Sequence, residues 1–210
     1  MLNQMRRPRQ LELRLHRRGG RRPGAGRKPN GDKAGVSHLR RSQFARAYPV
    51  HVTVRMAPHV WNLRSRRAFG VVGPAIAKAA QRFGMRIVCF SVQGNHLHLV
   101  VEAADSEALS RAMQGFSVRV ARGLNRMMKR RGRVLGDRFH AHVLRTPTET
   151  RRAVAYVRGN YRKHLVALGR RVPPRLFDEY SSDAGRLELP RPATWLLKQS
   201  VGPPRANPMA

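Results

Sequence analysis

Residues 86–102 read RIVCFSVQGNHLHLVVE, and this stretch decides the fold. Two apolar runs rich in β-branched residues flank Gln93-Gly94-Asn95, and a short Gly-Asn turn between such runs predicts a β-hairpin. Because side chains alternate along a strand, His96 and His98 share one face of the second strand, while the alternating leucines face a core. The hairpin therefore presents two imidazoles side by side.

Strand and helix patterns surround this hairpin. A β-branched alternation at 50–54 predicts a strand, and a Gly-Pro pair opens a short predicted helix at 74–82. Apolar residues at spacings of three and four predict a long helix over 106–131, whose apolar stripe faces the sheet. Residues 138–145 are predicted to form a further strand.

The last predicted helix begins at Thr146-Pro147-Thr148-Glu149. Thr suits the N-cap, Pro suits the first helical position, and Glu three residues after the cap completes a capping box. The order strand, helix, strand, strand, helix, strand, helix predicts an α+β fold. We expect an antiparallel sheet with helices packed on one face, similar to the ferredoxin-like split β-α-β arrangement.

The charge of the chain predicts its partner. The 210 residues contain 43 Lys and Arg against 11 Asp and Glu, a formal net charge of +32. Such a chain repels itself unless a polyanion is bound, so nucleic acid is the expected partner. We expect a disordered Arg/Gly/Pro-rich tail at 1–45, a cored domain at 46–170 and a Pro-rich tail at 171–210, whose Trp-Leu-Leu run at 195–197 packs a little.

Two basic segments are candidate DNA contacts. They contain Arg21, Arg22, Arg27 and Lys28 in the first tail, and Arg119, Arg122 and Arg126 on the long helix. Flat Arg/Gly/Pro pieces fit a narrow A·T-rich minor groove, although a solvated electrostatic tail has the same composition. The basic face of the helix is either solvated or in contact with phosphates, and the composition does not decide between the two.

Some classes of protein are disfavoured by the sequence. The single cysteine, Cys89, excludes an intramolecular disulfide and a Cys-rich zinc site. No apolar run approaches the roughly 20 residues that span a bilayer, and the N-terminal stretch does not resemble a secretory signal. We therefore expect no membrane partner and a cytoplasmic location.

The last helix carries a second set of candidate site residues. Tyr156 and Asn160 are four residues apart, so they share a helix face and lie about one turn from each other. The neighbouring apolar stripe would seat the helix on the sheet, with Tyr156 at the edge of the buried region. Histidines on a half-exposed strand are more often solvated than metal-bound, and tyrosine is commonly a packing residue. The residues alone leave both interpretations open.

Four segments together resemble a known family. They are YPVHVTVR at 48–55, GNHLHLVV at 94–101, DRFH at 137–140 and YVRGN at 156–160. Their order and spacing are similar to those of the single-tyrosine HUH transposases, named for two histidines around a hydrophobic residue. The resemblance is to the IS200-like and, in particular, the REP-associated tyrosine transposases, and it covers about residues 48–168.

The resemblance implies a metal-dependent transesterification of DNA in an HUH-endonuclease domain at 46–170. His96 and His98 would hold Mg²⁺ or Mn²⁺, Asn160 would be a third ligand, and Tyr156 would be the nucleophile. A phenol is a poor nucleophile at its free pKa of about 10, so a cation that polarises the scissile phosphate suits it. Attack gives a 5′-phosphotyrosine and a free 3′-hydroxyl, which conserves the bond for rejoining.

The sequence departs from the family pattern directly after Asn160. Many relatives have proline there, whereas this chain has Tyr161, which is therefore a second candidate phenol. Tyr161 lies on the apolar stripe of the helix, whereas Tyr156 stands at the family position of the nucleophile. Both observations favour Tyr156 as the nucleophile. The third ligand is the other open assignment, for which Glu102 and His142 are alternatives.

The implied function is cleavage and rejoining of single-stranded, hairpin or repeat-end DNA by a bacterial, nucleoid-associated protein. An alternative is a domesticated relative of the same fold that binds DNA without cutting it. A replication initiator or relaxase with the same metal geometry is a third hypothesis, but the small size and the lack of a helicase-like region argue against it. Members of the family act as monomers or as homodimers, so both oligomeric states stay open.

Overall fold

The computed structural model describes residues 43–173 and 176–201, and an antiparallel sheet lies at its centre. The described residues form the strands β1 (Val50–Arg55), β2 (Gln81–Arg82), β3 (Met85–Val92), β4 (His96–Ala103) and β5 (His140–Val143). They lie in the order β2-β3-β4-β1-β5, and each neighbouring pair is antiparallel. The predicted hairpin is confirmed as β3 and β4.

Helices connect and extend these strands. α1 (Arg66–Ala79) joins β1 to β2, α2 (Ser106–Met127) joins β4 to β5, and α3 (Pro147–Ala167) follows β5. A 3-10 turn at Ser182–Ala184 and the short α4 (Trp195–Lys198) come later in the described chain. The predicted α+β class, with its split β-α-β order, is confirmed. Within 43–173 and 176–201, none of the helices has the length and apolar content needed to cross a lipid bilayer.

The helices cover both faces of the sheet, so the prediction that they share one face is wrong. α1 and α2 pack on the face that includes Leu97 and Leu99, whereas α3 contacts the opposite face through Val154 and Val157. β3 and β4 are buried at nearly every position, which is what a strand covered on both faces requires. The face beneath α3 is the one that carries the paired histidines.

α1 is longer than the sequence predicts. It begins at Arg66 rather than Pro74, because Ser65 Oγ accepts the backbone N–H of Ala68 at 3.2 Å and caps the helix there. Pro74 therefore lies in the helix interior, where it removes one backbone donor without ending the helix.

Other predicted boundaries also differ from the structure. The predicted end of α1 forms β2, after which the chain turns at Phe83 and Gly84, both with positive φ. α2 ends at Met127, earlier than predicted, because Lys129 has a φ of 52° and leaves the helical region. β5 is shorter than the predicted 138–145, since only its central part pairs with β1.

The start of α3 is confirmed as a capping box. Thr146 Oγ1 accepts the Glu149 N–H at 3.2 Å, and Glu149 Oε2 accepts the Thr146 N–H at 3.1 Å. Pro147 is the first helical residue. This cap fixes the helix start close to the end of β5.

Residues 176–201 pack against the sheet and α3. The Val92 N–H donates to the Tyr180 carbonyl at 2.9 Å. In the Trp-Leu-Leu run at 195–197, both leucines are buried, whereas the tryptophan is 63% exposed. The apolar contact of this run is therefore made by the leucines.

A buried ion pair anchors the same segment. Arg64 Nη2 donates to Asp178 Oδ1 at 2.8 Å, and the two side chains are 12% and 6% exposed. Arg64 also donates to the Val92 carbonyl at 2.8 Å, and its guanidinium carbon lies 3.4 Å from the centre of the Tyr161 ring. One side chain thus ties the loop before α1 to β3, to α3 and to the C-terminal segment.

Gly123 allows α1 and α2 to approach closely, because a Cβ there would overlap with the Val71 side chain. We expect Gly123→Ala to lower the free energy of unfolding by about 1–3 kcal/mol, measured by urea denaturation. Gly70→Ala, where an added Cβ meets no described atom within 4 Å, should raise it by about 0.5–1 kcal/mol. Equal effects of the two substitutions would contradict this packing explanation.

Asp178→Asn is expected to destabilise the fold by about 3 kcal/mol, because it leaves the buried Arg64 guanidinium without its counter-charge. The neighbouring Glu179→Gln is the matched control, since its ion pair with Arg186 is roughly half exposed. That control should change the free energy of unfolding by less than about 1 kcal/mol. A cost for Asp178→Asn as small as that of the control would refute the anchoring role.

Candidate active site

The face of the sheet beneath α3 carries a row of histidines. Antiparallel pairing sets Thr53 of β1 opposite His98 of β4. It also sets His140 and His142 of β5 opposite Thr53 and His51. Because alternate residues of a strand share a face, these side chains project from the same side of the sheet as the paired histidines of β4.

His98 is buried and is held through its Nδ1 atom. This atom lies 3.1 Å from His51 Nε2 and 3.2 Å from Thr53 Oγ1. The Nε2 atom of His98 is buried and has no hydrogen-bond partner within the described residues. The pKa of His98 is lowered to about 3, first by burial and then by repulsion from neighbouring histidine rings. The ring is therefore neutral at neutral pH and can offer a lone pair to a cation.

His96 lies beside His98, with 4.8 Å between the ring centres. Its Nδ1 donates to Asn95 Oδ1 at 2.8 Å, so Nε2 keeps its lone pair in the neutral ring. The pKa of His96 is lowered to about 4, chiefly by burial and also by the charges of His164 and Arg55. Both imidazoles of β4 are thus uncharged potential ligands.

One stripe of α3 faces this pair of rings. Tyr156, Asn160 and His164 recur every four residues on successive turns. The centre of the Tyr156 ring is 5.1 Å from that of His98, and the centre of the His164 ring is 5.6 Å from that of His96. Asn160 is 2% exposed, and its Nδ2 atom has no partner in the described part of the chain. α3 therefore brings a phenol, an amide and a third imidazole to the strand histidines.

The two candidate phenols have different surroundings. Tyr156 is 36% exposed, its ring contacts His98, and Lys163 Nζ lies 4.9 Å from the ring centre. Tyr161 instead lies against the guanidinium of Arg64. Of the two rings, Tyr156 faces the histidines and Tyr161 packs in the anchor.

The alternative third ligands lie away from the paired imidazoles. Glu102 is four residues along β4 from His98, which is about 13 Å at 3.3 Å per residue. Its carboxylate accepts the backbone N–H groups of Ala193 and Thr194. His142 is exposed on β5, two strands from β4 and therefore about 10 Å away. The fold brings neither side chain to the pair.

The imidazoles of His96 and His98 could hold a divalent cation if the Asn160 amide supplied a third ligand. No group of three or more His, Cys, Asp or Glu in the described ranges is arranged to hold a metal ion. The remaining donors are two imidazole nitrogens and the Asn160 amide, whose oxygen and nitrogen exchange places when the amide turns by half a rotation. Buried polar atoms need partners, and a cation between His98 and Asn160 would supply one. Imidazole and amide donors are compatible with Mn²⁺ or Mg²⁺.

The predicted DNA-binding residues form two groups. Arg21, Arg22, Arg27 and Lys28 lie outside the described residues. Arg119, Arg122 and Arg126 project from α2 and, with Lys78, line a groove of about 350 Å³ between α1 and α2. Because α2 covers the face of the sheet opposite to α3, these arginines are not brought to the histidine pair.

Sequence reasoning missed His51, Thr53 and His164. His164 comes four residues after Asn160, so helical periodicity carried a signal that could have found it. His51 and Thr53 alternate on β1, but their place beside His98 depends on which strands pair. That information is not present in any local pattern.

A family model described as Transposase IS200 like matches residues 50–158, from β1 into α3. The matched span contains His96, His98 and Tyr156, and it ends two residues before Asn160. No curated protein matches the chain.

Several solved structures resemble the chain, two of them described as transposases. One is a REP-associated tyrosine transposase bound to a REP hairpin, with 18% identity, 61% of this chain and 74% of that chain covered, and a TM-score of 0.49. The other is a transposase candidate from Deinococcus radiodurans R1, with 11% identity and a TM-score of 0.40. The match covers 64% of this chain and 96% of that chain. The assignment rests on the family model, which matches more than half of the 210 residues. The chain belongs to the IS200-like transposase family, whose members are DNA-cleaving enzymes.

Proposed function

We propose that this transposase cleaves and rejoins single-stranded or hairpin DNA through a 5′-phosphotyrosine formed on Tyr156. The observation that carries the proposal is the 5.1 Å contact between the Tyr156 and His98 rings, beside a buried Nε2 atom without a partner in the described chain. A nucleophile and a potential cation ligand thus lie together. The motifs quoted above support the REP-associated branch of the family.

His96, His98 and Asn160 would hold the divalent ion, Mg²⁺ or Mn²⁺. When bound, the ion polarises the scissile phosphate and offsets charge on its oxygens. The imidazoles suit this role because pKa values of about 4 for His96 and about 3 for His98 keep them neutral at neutral pH. Neutral ligands preserve the positive charge that attracts phosphate.

His51 and Thr53 would orient His98. For Nε2 of His98 to bind a cation, Nδ1 must carry the hydrogen, and both His51 Nε2 and Thr53 Oγ1 lie close enough to accept it. Asn95 holds the hydrogen of His96 Nδ1 in the same way. These hydrogen bonds fix the tautomer and the orientation of each ring.

Tyr156 would form the covalent intermediate. Its phenolic oxygen attacks phosphorus, the bond from phosphorus to the 3′-oxygen breaks, the phenolic proton passes to solvent, and the 3′-oxygen takes up a proton. The product is a tyrosyl phosphodiester at the 5′ end, and the reverse reaction rejoins a strand. Lys163, with its Nζ 4.9 Å from the ring centre, adds positive charge that attracts the phosphate.

The basic surfaces would hold the remaining DNA. The groove with Arg119, Arg122 and Arg126 suits the phosphates of a duplex stem, while a single strand enters the cleft beneath α3. The tail at 1–45 would add electrostatic or minor-groove contacts to the catalytic domain at 46–170. Such a protein would be found on nucleoid DNA, as a monomer or a homodimer.

Tyr156→Phe is expected to abolish the covalent protein–DNA adduct, because phenylalanine has no hydroxyl to attack phosphorus. The probe is a labelled hairpin DNA with single-stranded flanks of random sequence, incubated with Mn²⁺ and analysed on a denaturing gel. Wild type and Tyr48→Phe, which removes a phenol that precedes β1, should both form the adduct. Chelation of the metal should abolish it.

An adduct that is undiminished in Tyr156→Phe would contradict the assignment. If it disappeared only when Tyr161 was replaced as well, the nucleophilic role would pass to Tyr161. A wild-type protein that binds the hairpin but never forms the adduct would support the alternative, a domesticated DNA-binding protein of the same fold.

His98→Ala and Asn160→Ala are each expected to weaken Mn²⁺ binding by at least about ten-fold, because each removes a proposed ligand. The measurement is an electron paramagnetic resonance titration of the DNA-free protein. His59→Ala replaces an exposed histidine that is bonded to the Arg133 carbonyl, and this control should leave the affinity unchanged. The ligand set would be wrong if all these variants bound Mn²⁺ as wild type does.

A further inference from the structure

A cavity of about 680 Å³ opens beside His96, at the end of α3 that is farther from Tyr156. It is lined by the loop before α1, the turn between β3 and β4, the last turns of α3 and residues 176–180. His96 and His164 both contribute to its wall, so the cavity adjoins the candidate active site.

The walls of the cavity combine aromatic and aliphatic side chains with polar and charged ones. They include Tyr161, Phe177, Tyr180, Leu165, Leu168 and Leu176. Flat aromatic rings bind nucleobases by stacking, because every base has a π-face. The Tyr180 ring packs edge-on against Phe69, and the Tyr161 ring lies against Arg64, so these two rings are held in fixed orientations.

Several polar groups in the wall are held in place by hydrogen bonds or ion pairs. Asn62 Oδ1 accepts the Arg64 N–H at 2.9 Å, which holds the amide beside Gly94 with its oxygen already bonded. The charges of Arg64 and Glu179 are already paired, that of Arg64 with Asp178 and that of Glu179 with an exposed arginine. Aromatic rings that can stack, beside fixed polar groups that can orient a ligand, are what a site for a nucleobase requires.

The aromatic rings of the candidate site form a row of successive contacts that follows α3. From Tyr156 they run to His98, then to His96 and His164, with 5.1, 4.8 and 5.6 Å between successive ring centres. The cavity lies at the His164 end of this row. In-line displacement at phosphorus keeps the attacking and leaving oxygens on opposite sides. A phosphate over the strand histidines, attacked by Tyr156, would therefore direct its leaving oxygen towards the cavity.

We propose that this cavity binds the base of the nucleotide that carries the leaving 3′-oxygen, and so selects the last base before the cut. The proposal rests on the proposed function, since it takes Tyr156 as the nucleophile. The base stacks on Phe177 and accepts a hydrogen bond from Asn62 Nδ2. The volume lies within the range of about 300–1,000 Å³ that is common for small-ligand sites.

Sequencing of cleavage products tests this pocket. Hairpin DNA with randomised single-stranded flanks is incubated with the full chain and Mn²⁺, and the 3′ ends of the released products are sequenced. Wild type should prefer particular bases at the last nucleotide before the cut. Phe177→Ala and Asn62→Ala should each reduce that preference by about ten-fold, without altering any preference at the first nucleotide after the cut.

Phe83→Ala is the matched control, because this exposed ring lies at the turn after β2, outside the cavity lining. It should retain the wild-type preference. Thermal unfolding checks each variant, and Phe177→Leu, which keeps apolar bulk but not a flat ring, replaces Phe177→Ala if that protein does not fold.

Three outcomes would refute the base-binding role of the cavity while leaving the proposed function intact. They are cleavage without any preference at the last nucleotide in wild type, an unaltered preference in both cavity variants, and a change confined to the nucleotide after the cut. If wild type formed no covalent adduct and no product, the proposed function would be refuted, and the proposed base-binding role of the cavity would be refuted with it.

Discussion

The packing of α3 across the sheet is the contact on which the candidate site depends. β4 alone supplies two imidazoles, and the phenol and the amide reach them because Val154 and Val157 seat the helix on that face. The same contact removes the imidazoles from water, which is the main cause of the lowered pKa of His98. Apolar packing and the chemistry of the site are therefore not separable, and without α3 the histidines would be solvated strand residues.

Several interactions hold α3 in that position. The capping box of Thr146 and Glu149 fixes where the helix starts, close to the end of β5. Near the other end, the Tyr161 ring lies against Arg64, which is itself bound to Asp178 and to the carbonyl of β3. Tyr161 stands where many relatives have proline. In this chain it helps to anchor the helix, so the departure from the family pattern has a structural role.

Short-range patterns in the sequence predicted the local parts of this structure well. The β3–β4 hairpin, the cap of α3 and the shared helix face of Tyr156 and Asn160 all depend on residues close together in the chain. The side of the sheet that α3 covers was predicted wrongly, because strands buried on both faces lose the alternation that marks a solvent face. His51 could not be recognised because strand pairing is a long-range property, and the start of α1 was hidden by Pro74, which suggested a beginning rather than an interior.

The division of the site between a helix and a sheet has a mechanical consequence. Tyr156, Asn160 and His164 belong to one α-helix, which is stiff over two turns, so they shift in concert whenever it slides or tilts. A slide by a single residue, about 1.5 Å along the axis, would misalign all three with the strand imidazoles at once. The arrangement of the candidate site therefore depends on the position of the whole helix relative to the sheet, and not on any one side chain.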